Sequence, residues 1–138
     1  MFNFFKKKDT DKNKNVLFIK TAALLIHAAK IDEKFKEKEK NIIKKTLIEL
    51  GAEEININEI MIEAGNIEKK SNQILDFTKE IKNAGNEYKI KIIETLWGII
   101  YSDNNADMYE TNLMRRLAGL LYIDDKIMGD IKERIKNI

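Results

Sequence analysis

Asp103, Asn105, Asp107 and Glu110 place four oxygen-bearing side chains in one short acidic stretch, the elbow Ser102-Asp-Asn-Asn-Ala-Asp107 and the turn after it. Oxygen donors at this density suit a hard divalent cation: Ca²⁺ takes about six to eight oxygens, and these residues would supply several. The stretch is not an EF-hand. With Asp103 as its first position, Met108 falls where that loop needs glycine and Met114 where it needs a bidentate glutamate. Asp107 and Glu110 also have the D-x-x-E spacing of a capping box, so the same carboxylates serve equally to start a helix. A second pair at similar spacing, Asp32 and Glu39, lies upstream.

Other reactive residue types are sparse. His27, the single histidine, falls midway along an apolar stretch with neither a cysteine nor a second histidine nearby. Zinc ligation and histidine-based catalysis therefore lack partners. Trp97 belongs to an apolar stripe and reads as packing. The basic pairs Lys44-Lys45 and Arg115-Arg116 read as solvated faces beside glutamates. There is no Gly-rich phosphate loop and no nucleophile elbow.

The elements that must position these residues are helices. The chain has 138 residues, no proline and 35% charged residues, which favours long, well-solvated helices around one core. Apolar periodicity predicts about seven. The first runs from Val16 to Lys30 with Phe18, Ala22, Leu25 and Ala29 on one stripe. The second runs from Lys36 to Leu50 and stops at Gly51, a suitable C-cap. Asn56 and Glu59 suggest a cap opening a third helix to about Lys70, and Ser71 a cap for a fourth over Ile74–Lys82. Three more follow: Glu87–Ser102, Asp107–Tyr122, and one capped by Asp124. Residues 1–15 precede this periodicity and read as a mobile tail, leaving 16–138 as the helical domain.

Shifting the first half by 71 positions brings matched residues together without a gap. Leu25 falls on Leu96, Asp32 on Asp103, Glu39 on Glu110, Lys44-Lys45 on Arg115-Arg116, Leu50 on Leu121 and Ile60 on Ile131. Such a shift signals an internal repeat. It predicts two three-helix units joined by a linking helix, with the first helix packed on the fifth. The two elbows would then converge, bringing Asp32, Glu39, Asp103, Asp107 and Glu110 onto one acidic face.

Composition sets further bounds. The net charge of +2 with no cysteine excludes disulfide and thiolate chemistry. No apolar run approaches the ~20 residues of a membrane span. Lysines interleaved with glutamates do not make a nucleic-acid face. Phe2, Phe4 and Phe5 ahead of Lys6–Lys8 would permit weak peripheral membrane contact through residues 1–8.

The segment LWGIIYSDNNADMYETNLMRRLAGLLYIDD resembles the second half of the tellurite-resistance protein B (TerB)-like family, with its D-x-x-E, its R-R pair and its Leu-Leu. IHAAKIDEKFKEKEKNI is similar to the family's first motif. The resemblance covers residues 16–138. It implies an all-α fold of pseudo-repeats, a stress-related role, and an acidic surface proposed to bind metal, carried over onto Asp32, Glu39, Asp103, Asp107 and Glu110. Glu33 and Asn104 stand where the family pattern has glycines, and Lys34 and Lys36 would repel a cation from the first elbow. The second elbow is the better candidate. The expectation is a cytoplasmic, non-enzymatic binding or scaffold module with protein partners, no nucleic acid, and a divalent cation such as calcium as its candidate cofactor. The competing expectation is a metal-assisted hydrolase built on the clustered carboxylates.

Overall fold

The computed structural model describes residues 2–30, 36–71, 73–101 and 108–137. These form seven helices and no strand: α1 Phe2–Lys30, α2 Glu37–Glu49, α3 Glu54–Lys70, α4 Leu75–Ile81, α5 Asn86–Ile100, α6 Met108–Leu120 and α7 Asp125–Lys136. The all-α expectation holds.

Two apolar helices form the centre. From α1, Ala22, Ala23, Leu24, Leu25, Ile26, Ala28 and Ala29 are buried, and from α5 Ile92, Ile93, Leu96, Trp97, Ile99 and Ile100. Helices this apolar all round must be covered on several sides. α1 packs on α2, α3, α4 and α5, while α5 packs on α1, α2 and α7. The first helix therefore meets the fifth, as the repeat requires. α4 closes the base with Phe77, Thr78 and Ile81.

The helix bounds themselves follow the 71-residue shift. α2 at 37–49 maps onto α6 at 108–120, and the start of α3 at 54 onto the start of α7 at 125. The helix-ending turns repeat bond for bond. After α2, Gly51 N–H donates to Ile48 O and Ala52 N–H to Leu47 O; after α6, Tyr122 N–H donates to Gly119 O and Ile123 N–H to Ala118 O. Both pivots have positive φ, +115° at Gly51 and +58° at Tyr122. These bonds satisfy the carbonyls a helix C-terminus leaves open.

Two helix starts and one cap differ from the sequence reading. α1 begins at Phe2 with no break at residue 15, because nothing between 1 and 30 is glycine or proline to interrupt it. α3 begins two residues before Asn56, with Glu53 as its N-cap. Ala52 is buried directly after the Gly51 turn, so the chain is already directed into the helix, and the acidic pair Glu53-Glu54 suits a positive helix end. Ser71 closes α3, its N–H donating to Ile67 O, and α4 is capped by Ile74. The helix itself falls within one residue of the Ile74–Lys82 expected; it is the cap that differs, Ile74 standing in the place expected of Ser71. Asp124 is the N-cap foreseen, accepting from Lys126 N–H at 2.9 Å.

Candidate functional site

The expected acidic site divides between described and undescribed residues. Asp32, Asp103 and Asp107 lie outside the described residues. Glu110 lies in the first turn of α6. Glu39 is buried, and its Oε2 accepts from Lys36 N–H at 3.2 Å, the back-reaching bond of a capping box at the start of α2. As placed, Glu39 serves the helix end, and Lys38 and Lys40 flank it in sequence. Among the described residues no group of three or more acidic, histidine or cysteine side chains is arranged to hold a metal ion.

The buried polar side chains bond across helices. Glu68 of α3 accepts from Lys30 Nζ at 2.7 Å and faces His27 Nδ1 at 3.3 Å, with the Phe77 ring 5.9 Å from the imidazole. His27 is thus the satisfied helix residue its sequence context suggested, fastening α1 to α3. Lys89 of α5, also buried, donates from Nζ to Leu121 O at 3.0 Å, placing a cation at the negative end of α6. Thr46 and Thr95 pair at 3.1 Å between α2 and α5. Thr21 pairs with the Tyr88 hydroxyl at 2.8 Å, and burial, partly opposed by the Thr21 bond, pushes the Tyr88 phenol up to about 12.

Glu68 and Lys89 were missed in the sequence, although each carries a signal. Glu68 continues the buried Ile57, Ile60, Ala64 stripe of α3, and Lys89 lies one turn before Ile92 and Ile93. A charge in phase with a buried stripe must find a partner.

Two of the surface clefts occupy matching places in the two halves of the chain. The larger, about 800 Å³, lies over α1 between α2 and α3; Lys40 and Lys44 come from α2, Ile26 and Lys30 from α1, and Asn58, Met61, Ile62, Gly65, Asn66 and Lys69 from α3. The smaller, about 230 Å³, is bounded by Trp97, by Thr111 and Arg115 of α6, and by Asp125, Gly129 and Lys132 of α7, among others. The 71-residue shift relates them: Ile26, Lys40, Lys44, Asn58 and Met61 fall on Trp97, Thr111, Arg115, Gly129 and Lys132.

Their contents differ. In the smaller site Lys132 Nζ sits 5.3 Å from the Trp97 ring centroid, a cation–π contact, and Tyr101 stacks on the indole with centroids 5.6 Å apart. The Trp97 Nε1–H is buried and has no acceptor among the described residues. The larger site has lysines and carboxamides over an apolar floor and no carboxylate among its lining residues.

Comparison with protein-family models matches residues 18–133 to the one described as Tellurite resistance protein TerB. Its first matched residue, Phe18, is a buried side chain of α1. No curated protein and no solved structure matches the chain. No described helix is long and apolar enough to cross a membrane.

Proposed function

The chain belongs to the tellurite resistance protein TerB family, and on that premise we propose that it is a non-enzymatic binding module of the cytoplasm, acting in tellurite or related stress resistance. Its working surface in this reading is the groove between α2 and α3. The carrying observation is the composition of that groove: about 800 Å³ walled by helices, lined by lysines and asparagines, with no carboxylate, histidine or hydroxyl side chain among the described lining residues. Such a surface can hold a partner by charge and apolar contact. It offers no carboxylate or imidazole to move a proton and no oxygen cluster to hold a catalytic metal. The lone histidine lies against Glu68 in the fastening of α1 to α3.

A divalent ion at the second elbow, held by Asp103, Asp107 and Glu110, belongs to the same reading as a separate site. Its ligands would bridge the end of α5 and the start of α6, so the ion would act by joining those helices.

Gly65 supplies the test. A Cβ added there meets no atom within 4 Å and Gly65 lines the groove, so Gly65→Leu places bulk in the groove, and leucine favours the helix. In cells carrying this variant in place of the native chain, tolerance to tellurite is expected to fall while the protein's cellular level is unchanged. Equal tolerance would remove the groove as the working surface.

A further inference from the structure

We propose that the groove between α2 and α3 binds a single-chain amphiphile with an anionic head, of the fatty-acid class; this rests on the groove being the working surface. The floor is apolar: Ile26, Met61 and Ile62 line it, and Ile62 is 65% exposed on the surface of α3. Lysines from three helices stand around that floor. Glu68 offsets one of them, Lys30, through their 2.7 Å bond. The positive excess rests on Lys44 and Lys69, neither of which joins a salt bridge among the described residues. An anionic head is the complement of that rim, and a hydrocarbon chain is the complement of the floor.

The helical walls select among anionic partners. The groove follows α3 from Asn58 to Lys69, about 16 Å at helical rise. An extended peptide could lie along that length. Its backbone N–H and C=O groups would, however, lie along helix walls whose own backbone groups are paired within the helices, which leaves them unsatisfied. An acyl chain has no such groups to satisfy.

Gly65 fits this use. Glycine in the interior of α3 lowers helix stability relative to alanine, and no neighbouring atom requires its small size. What its missing side chain provides is depth in the groove.

The experiment titrates the full chain with sodium decanoate below its micelle-forming concentration. It is followed by calorimetry and by backbone amide NMR shifts, with decyltrimethylammonium, decanol and an extended acidic peptide as parallel arms. Expected are one-to-one saturation by decanoate, shifts concentrated at residues 40–44 and 58–69, and affinity for the cationic and neutral amphiphiles at least about tenfold weaker. Gly65→Leu should abolish saturation with its circular dichroism unchanged, and Lys44→Glu or Lys69→Glu should weaken it about tenfold. Equal binding of the cationic amphiphile, or unchanged binding by Gly65→Leu, overturns the proposal. Binding of the acidic peptide in the absence of decanoate binding overturns the amphiphile class and leaves the groove as working surface. If no arm binds and Gly65→Leu also leaves tellurite tolerance intact, both readings fall.

Discussion

Replacing the two residues that turn the chain after α2 and α6 should change stability in opposite directions. Gly51 holds φ +115° and Tyr122 φ +58°, in turns with the same bonding pattern 71 residues apart. A Cβ at position 51 would have Phe18 Cζ as its nearest neighbour at 3.8 Å, an ordinary contact. Gly51→Ala therefore carries little steric cost and reports the backbone penalty itself, about 1–2 kcal/mol of destabilisation. At position 122 the same penalty is already present in the native chain. Tyr122 is 72% exposed, so removing its ring gives up little burial. Tyr122→Gly releases about 1–2 kcal/mol of strain and gives back about 0.5–1 kcal/mol to the freer unfolded chain, for a net gain of up to about 1.5 kcal/mol. Urea denaturation followed by circular dichroism measures both, with the midpoint moving at constant m. A neutral Gly51→Ala together with a destabilising Tyr122→Gly would refute the argument that these turns are the same left-handed cap.

Two further outcomes follow from particular residues. The Tyr88 phenol has a folded pKa raised to about 12 by burial, above the ~10 of an exposed tyrosine. Its contribution is therefore fully present below pH 10 and is lost as pH rises from there through 12. Tyr88→Phe should cost about 1 kcal/mol near neutrality through the lost Thr21 bond and should unfold less steeply between pH 10 and 12 than the native chain; identical alkaline profiles would count against a buried phenol. At the second elbow, millimolar Ca²⁺ should raise the melting temperature of the native chain with concentration, and Asp103→Asn should abolish the rise. If Asp103 only caps, both proteins stay flat, and asparagine, which also caps, costs at most about 1 kcal/mol.

How much of this was legible in the sequence depended on whether a signal was local. The stripe Phe18, Ala22, Leu25, Ala29 and its counterpart Ile93, Leu96, Trp97, Ile100 are all buried, because apolar periodicity is decided within a few turns of one helix. Gly51 stopped α2 for an equally local reason. The start of α3 and the cap of α4 were misread because capping preferences at Asn56 and Ser71 are weak beside the burial of Ala52 and Ile74, which depends on the whole packing. Glu68 and Lys89 escaped notice because their partners lie 38 residues away at Lys30 and 32 residues away at Leu121. Spacing along the chain carries no record of such pairs.

The groove was harder to read than the elbow. The 71-residue shift sets a cleft of the first half against one of the second, and the two differ in content. Phe18 and Lys89 occupy equivalent positions, one reaching toward Gly51 and the other donating to Leu121 O; both secure the end of a helix, by a ring in one half and a cation in the other. The clefts differ further. Ile26 lies in the floor of an open basic groove, while at the same position Trp97, under Lys132 and beside Tyr101, narrows the second cleft to about 230 Å³. Acidic residues at the elbows stand out in the sequence because they are contiguous. The lysines of the larger groove come from three helices and become one surface only when α2 and α3 pack on α1, so the sequence shows them as unremarkable charges among glutamates. The lysine-lined cleft is built from α1, α2 and α3, while Asp103 lies between α5 and α6 along the chain. Asp103→Asn and Gly65→Leu should accordingly act independently: the first should leave amphiphile binding unchanged and the second should leave the metal response unchanged, with additive effects in the double variant. Loss of both responses from either single change would mean that the two surfaces are one.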